Sequence, residues 1–143
     1  MAIICVSRAP VDKLLAYRAR MGWSFPWVSA GDSDFNFDFG VSSTPEATRQ
    51  WVEPMLKSDN LPAIAIQNAS ATGTDVVSYI AEGFGVNVYA REDDAVYHCY
   101  SSGGRGVEFL MGYYPILDRT PKGRDEGDEF QTWLRRHDEY DPE

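Results

Sequence analysis

The chain has 143 residues, 43% of them hydrophobic and 24% charged, with a formal charge of −9. That length and composition fit one globular domain with a sizeable core and leave no room for a second independent one. The acidic balance argues against nucleic acid, which is bound through a basic stripe, and no run of about 18 apolar residues is present to span a membrane.

Ala2 to Val6 is a short apolar run rich in β-branched residues, which suits a strand buried on both faces. Ser7-Arg8-Ala9-Pro10 turns the chain into a helix with proline at its first position. On that helix Leu14, Leu15 and Met21 are expected to face a core, and Gly22 to stop it. A second strand is expected from Ser24 to Ser29, completing a strand-helix-strand unit in fewer than thirty residues.

The most unusual stretch runs from Gly22 to Gly40 and holds six of the chain's nineteen aromatic residues. Its second half alternates, with Phe35, Phe37 and Phe39 on one parity and Asp34, Asn36 and Asp38 on the other. Read as extended chain, it puts rings on one face and oxygen-bearing groups on the opposite one, as an edge strand with an acidic outer face would.

Thr44-Pro45-Glu46 then starts a helix, which Pro54 is expected to kink or end. Leu61 to Ile66 reads as a short strand, and Thr74 as the cap of a helix reaching Glu82. Val86 to Arg91 and Ala95 to Ser101 read as a hairpin around the acidic turn Glu92-Asp93-Asp94. Ser101-Ser102-Gly103-Gly104 leads into a helix from Arg105 to Tyr113, ended by Pro115. From Asp118 onward the chain is polar, and Phe130, Trp133 and Leu134 give one amphipathic turn.

Several patterns that carry chemistry elsewhere are incomplete here. Asp32-x-Asp34-x-Asn36-x-Asp38 begins like a calcium loop, but Phe37 stands where the turn needs glycine and Ser43 where a bidentate glutamate belongs. Gly103-Gly104-Arg105-Gly106 lacks the lysine and hydroxyl of a nucleotide loop, so a strand-to-helix connection explains it more cheaply. His98 and Cys99 are adjacent in a strand and point to opposite faces, which separates imidazole from thiol. His98 and His137 form no metal-ligand spacing, and no Cys-x-x-Cys is present. Cys5 and Cys99, far apart in sequence, are too few for a disulfide scaffold and fit a reducing, cytoplasmic setting, as does a start without a basic n-region and long apolar segment. Inside a buried strand, the Cys5 thiol acts as a small hydrophobe.

Six motifs in order carry a resemblance: Val6 to Pro10, Met21 to Ser29, Ser33 to Phe39, Tyr97-His98-x-Tyr100-Ser101 with Arg105-Gly106, Pro121 to Glu126, and Trp133-x-Arg135 to Tyr140. Together they resemble a bacterial family of unknown function that is thioredoxin-like and described as predicted dithiol-disulfide oxidoreductases. The likeness is weakest between Val41 and Glu82. It implies an α/β, thioredoxin-like and peroxiredoxin-related mixed sheet with flanking helices over residues 1–143. Residues 41–82 would be a variable helical insertion and 118–143 a polar C-terminal extension.

Fuller-length relatives carry an upstream strand and helix with a Cys-x-x-Cys pair, and neither Cys5 nor Cys99 matches those positions. The resemblance therefore transfers no redox residue, and leaves the place of a central strand to be filled. Buried backbone groups left unpaired cost about 1–3 kcal/mol each. Three fillings are expected: the Leu61 to Ile66 segment, an element from a second chain in a homodimer, or further chain upstream.

Two functional expectations follow. One is a redox-inactive binding or structural domain, dimeric and without cofactor, or the remaining part of a thiol-disulfide oxidoreductase. The other is a small-molecule binder or enzyme with an aromatic pocket lined by Trp23, Trp27, Asp34, Asn36, Tyr97 and His98. A cleft beside Asp34 or His98 would favour the second, and a filled core the first.

Overall fold

The computed structural model of the chain describes residues 1–58, 61–127 and 136–140, in a mixed α/β arrangement of several helices and two small sheets. The expected turn at Phe130, Trp133 and Leu134 lies outside those residues. The chain divides into two units, one of residues 1–40 with 133–143 and the other of residues 41–132.

The first unit begins with strand β1, Cys5–Ser7, helix α1, Val11–Arg20, and strand β2, Trp27–Ser29. Strands β1 and β2 pair in parallel, with Cys5 opposite Trp27 and Ser7 opposite Ser29. The strands are shorter than the sequence suggests. Ala2, Ile3 and Ile4 fall outside β1 because β2 offers partners only for Cys5 to Ser7, and Ile3 and Ile4 are exposed rather than buried.

Pro10 stands at the cap of α1 rather than inside it, and its carbonyl accepts from Leu14 N at 3.1 Å. Leu14 and Met21 are buried as expected, but Leu15 lies on the wet face at 45% exposure. The helix ends where Gly22 adopts φ +65°. Gly22 N donates to Ala19 O at 3.2 Å and Trp23 N to Arg18 O at 3.0 Å, the paired bonds of a Schellman stop. This stop hands the chain directly to the aromatic stretch.

The alternating segment is not a strand. Phe35–Asp38 is one helical turn, α2, closed by Asp38 N to Asp34 O at 2.8 Å and Phe39 N to Phe35 O at 3.2 Å. Turn chemistry overrides the period-two pattern. Ser33 N donates to Ala30 O at 3.2 Å, Ser33 Oγ accepts from Phe35 N at 3.4 Å, and Gly40 ends the turn at φ +64°.

In the second unit, helix α3, Pro45–Lys57, is capped by Thr44, whose Oγ1 accepts from Ala47 N at 3.2 Å. It runs through Pro54 for one more turn instead of ending there. Leu61 to Ile66 forms no strand: Pro62 caps helix α4, Ala63–Thr72, so this segment completes no sheet. Helix α5, Val76–Ala81, is capped by Asp75, one residue after the expected Thr74, through Ser78 N at 3.0 Å. Ser43 N to Ala81 O at 2.8 Å brings both ends of this helical segment together.

Strands β3, Gly85–Glu92, and β4, Ala95–Gly103, form the expected antiparallel hairpin. Its turn is tighter than expected, with Glu92 opposite Ala95 and Asp93 at φ +51°. A bulge at Val88/Tyr89 leaves Cys99 between the Val88–Tyr100 and Tyr89–His98 pairs. After β4 comes a 3-10 helix, Gly104–Leu110, rather than the long helix expected. Helix α6, Tyr114–Leu117, follows with Pro115 in its first turn, so that proline starts a helix instead of stopping one. Arg124 lies 3.7 Å from the centroid of the buried Tyr114 ring and pairs with Glu108 at 2.9 Å and Asp118 at 2.7 Å.

Candidate functional site

In the first unit the Schellman stop after α1 and the short strand β2 converge four rings. Trp23 and Trp27 have centroids 5.6 Å apart, with Phe25 5.2 Å from Trp23. Tyr17 of α1 meets both indoles edge-on at 5.6 and 6.0 Å. At these separations the rings touch one another, as in a core. Trp27 Nε1 donates to Ser7 Oγ at 2.9 Å, joining the two strands through side chains as well as backbone. The outer edge of Trp23 remains exposed.

Asp34 and Asn36 are not on one outward polar face. Asp34 caps α2 by position, with no side-chain cap bond, and is exposed. Asn36 is 7% exposed, buried by the helical turn that replaces the expected strand. Phe35 and Phe39 stack at 4.7 Å across that turn, and the Arg8 guanidinium sits 4.5 Å from the Phe37 ring. Rings that alternation would put on one face therefore serve different contacts.

Residues 136–140 add a polar rim to α1. Arg20 Nε donates to Asp138 Oδ2 at 2.6 Å and Arg20 Nη2 to Asp138 Oδ1 at 3.0 Å and to Glu139 Oε1 at 3.3 Å. The hydrogen bonds from Arg20 hold the Asp138 carboxyl below its ordinary range, and those from Arg136 do the same for Glu139. The guanidiniums of Arg20 and Arg136 lie 5.9 and 5.8 Å from the Tyr17 centroid. Tyr17 is thus shared by the aromatic cluster and the charged rim. Sequence reading missed it, although its spacing of three from Leu14 and four from Met21 puts it on the buried helical face.

The other candidates, Tyr97 and His98, belong to the second unit, where they occupy opposite faces of the hairpin. His98 stacks on Tyr89 at 5.0 Å, and its Nε2 lies 3.0 Å from Asn87 Oδ1. Tyr97 is exposed. The Cys99 Sγ donates to Tyr97 O at 3.4 Å.

Both cysteines are free thiols. Burial pushes the Cys5 thiol above its ordinary value, which disfavours the nucleophilic thiolate. Among the described residues no cluster of three or more His, Cys, Asp or Glu side chains is arranged to hold a metal ion, and no helix is long and apolar enough to cross a membrane.

No curated protein and no solved structure matches the chain. A family model described as a bacterial protein of unknown function (DUF899) matches residues 1–140, and the chain belongs to that family.

Proposed function

We propose that the chain is a thioredoxin-like domain that has no dithiol chemistry of its own and acts as a cytoplasmic binding or structural module, assembled as a homodimer. The parallel β1-α1-β2 unit, with Phe25-Pro26 leading into β2, supports the fold reading. The observation that carries the functional reading is the state of Cys5. It is the single cysteine of its unit, lies in β1, and has a thiol that burial makes less acidic. Dithiol exchange asks for the opposite, an attacking thiol whose lowered pKa keeps it as the thiolate.

Two assays test this. With a thiol-specific chromogenic reagent at neutral pH, exposed Cys99 should react at least about tenfold faster than Cys5, as expected when burial and thiolate fraction set the rate. In a turbidimetric insulin-reduction assay with dithiothreitol the chain should give no acceleration. Acceleration that disappears in Cys5→Ser would overturn the reading.

A second reading rests on the exposed edge of Trp23 beside Trp27. It makes this part of the aromatic stretch a platform for a small apolar or aromatic ligand, with Asp34 and Asn36 as further candidates from α2, while Tyr97 and His98, on the hairpin of the other unit, are a separate candidate. Quenching of tryptophan emission by a small-molecule library, absent in Trp23→Ala, would favour it. Unchanged emission across the library would count against it.

A further inference from the structure

The homodimer proposed above needs an interface, and the hydrogen-bond parity of β1 points to one. Cys5 N donates to Pro26 O at 2.9 Å, and Ser7 O accepts from Ala30 N at 2.8 Å, so Cys5 and Ser7 spend their backbone groups on β2. Across planar trans peptides the intervening groups point the other way: Ile4 C=O, Val6 N–H and Val6 C=O face the outer edge of β1. Among the described residues no strand pairs with that edge.

We propose that the outer edge of β1 pairs antiparallel with β1 of a second copy, about a two-fold axis passing between the two Cys5 residues. In this register Val6 N–H donates to the C=O of the partner subunit's Ile4, and the reciprocal bond follows by symmetry. Ile4 and Val6 then form β-branched cross-strand pairs on the face opposite Trp27. Charge and sequence together select a second copy as the occupant. A chain of net charge −9 repels its own copy except through a neutral strip, and Ala2 to Ser7 carries no charged side chain. Centring the axis one residue later, on Val6, would set Ile4 against the partner's Arg8, whereas Arg8 is held over Phe37.

The register makes one sharp demand. Cys5 and the partner's Cys5 face each other as a non-hydrogen-bonded antiparallel pair, with Cα atoms about 4.5 Å apart, inside the span that a disulfide bridges. The test therefore uses the Cys99→Ser chain at pH 8 with diamide, which accepts two electrons and two protons as two thiols become one disulfide. Light scattering should give the mass of a dimer, and a non-reducing gel should show it linked, with the link absent in Cys5→Ser. Ile4→Lys brings a charge to the neutral edge and should weaken the dimer about tenfold or more.

A dimer that gives no Cys5 link would overturn the edge pairing and leave the dimer reading standing. So would a dimer indifferent to a folded Ile4→Lys chain. A monomer at every concentration would overturn both. Should Ile4→Lys fail to fold, the link in the Cys99→Ser chain decides alone.

Discussion

The hydrogen bond from Trp27 to Ser7 can be weighed by a double-mutant cycle, because each partner has a substitution that removes it and little else. Trp27→Phe deletes the indole N–H while keeping a ring beside Tyr17 and Trp23. A neutral hydrogen bond contributes about 0.5–1.5 kcal/mol net, so we take about 1 kcal/mol for this one at 2.9 Å. The smaller ring also removes about 40 Å² of apolar surface, and since Trp27 is half-buried about half of that counts, adding about 0.5 kcal/mol at 25 cal/mol per Å². Trp27→Phe should therefore cost about 1.5 kcal/mol and Ser7→Ala about 1 kcal/mol. The double substitution should cost about 1.5 kcal/mol rather than 2.5, a coupling of about 1 kcal/mol. Urea unfolding followed by far-UV circular dichroism reads all four corners. A coupling below about 0.3 kcal/mol would mean that the two side chains act independently and that β1 and β2 are joined by backbone alone.

Two further substitutions test the same unit. A Cβ on Gly31 would lie 2.9 Å from Arg8 O, a backbone atom that cannot swing aside, so Gly31→Ala should cost about 1–3 kcal/mol by urea unfolding. A neutral outcome would show that the turn after β2 shifts freely. The rim on α1 should respond to acid. Asp138 and Glu139 are held below their ordinary values by hydrogen bonds from Arg20 and Arg136, so their contribution is complete above the usual carboxylate range and is lost as pH falls through the depressed values. The Tyr17 ring resonances should move over that acidic interval, and Arg20→Met should raise the Asp138 pKa toward the ordinary value while leaving Glu108 unchanged. An unmoved Asp138 would refute the pairing.

The sequence was most readable where local chemistry and pattern agreed. Thr44-Pro45-Glu46 starts a helix because cap, fixed φ and first-turn acid all favour it, and Gly22 stops one because the left-handed backbone there suits glycine. The hairpin was legible from its two strand-forming runs and an acidic turn. The failures share a cause. Phe35 to Phe39 and Leu61 to Ile66 are short apolar patterns that fit a strand or one helical turn equally well, and their flanks decide: Ser33 and Gly40 in one case, Pro62 in the other. Of the candidate site, the meeting of Trp23 with Trp27 followed from their nearness in sequence. Asn36 went inside instead of outside because a helical turn, not a strand, sets its direction. Tyr17 was legible in its helical spacing from Leu14 and Met21, whereas the rim from residues 136–139 reaches α1 across more than a hundred positions, which no local pattern encodes.

The bulge beside Tyr89 bears on how this hairpin tolerates changes in length. Because Cys99 opposes no residue of β3, removing it would leave Val88 against Tyr100 and Tyr89 against His98, now in an unbroken ladder. Removing Tyr97 would instead draw Cys99 into the ladder, setting His98 against Ala90 and Cys99 against Tyr89 and exchanging the faces of those two side chains. A one-residue deletion at Cys99 therefore leaves every pair in place, and one at Tyr97 is taken up by the bulge at the expense of reversing two side chains.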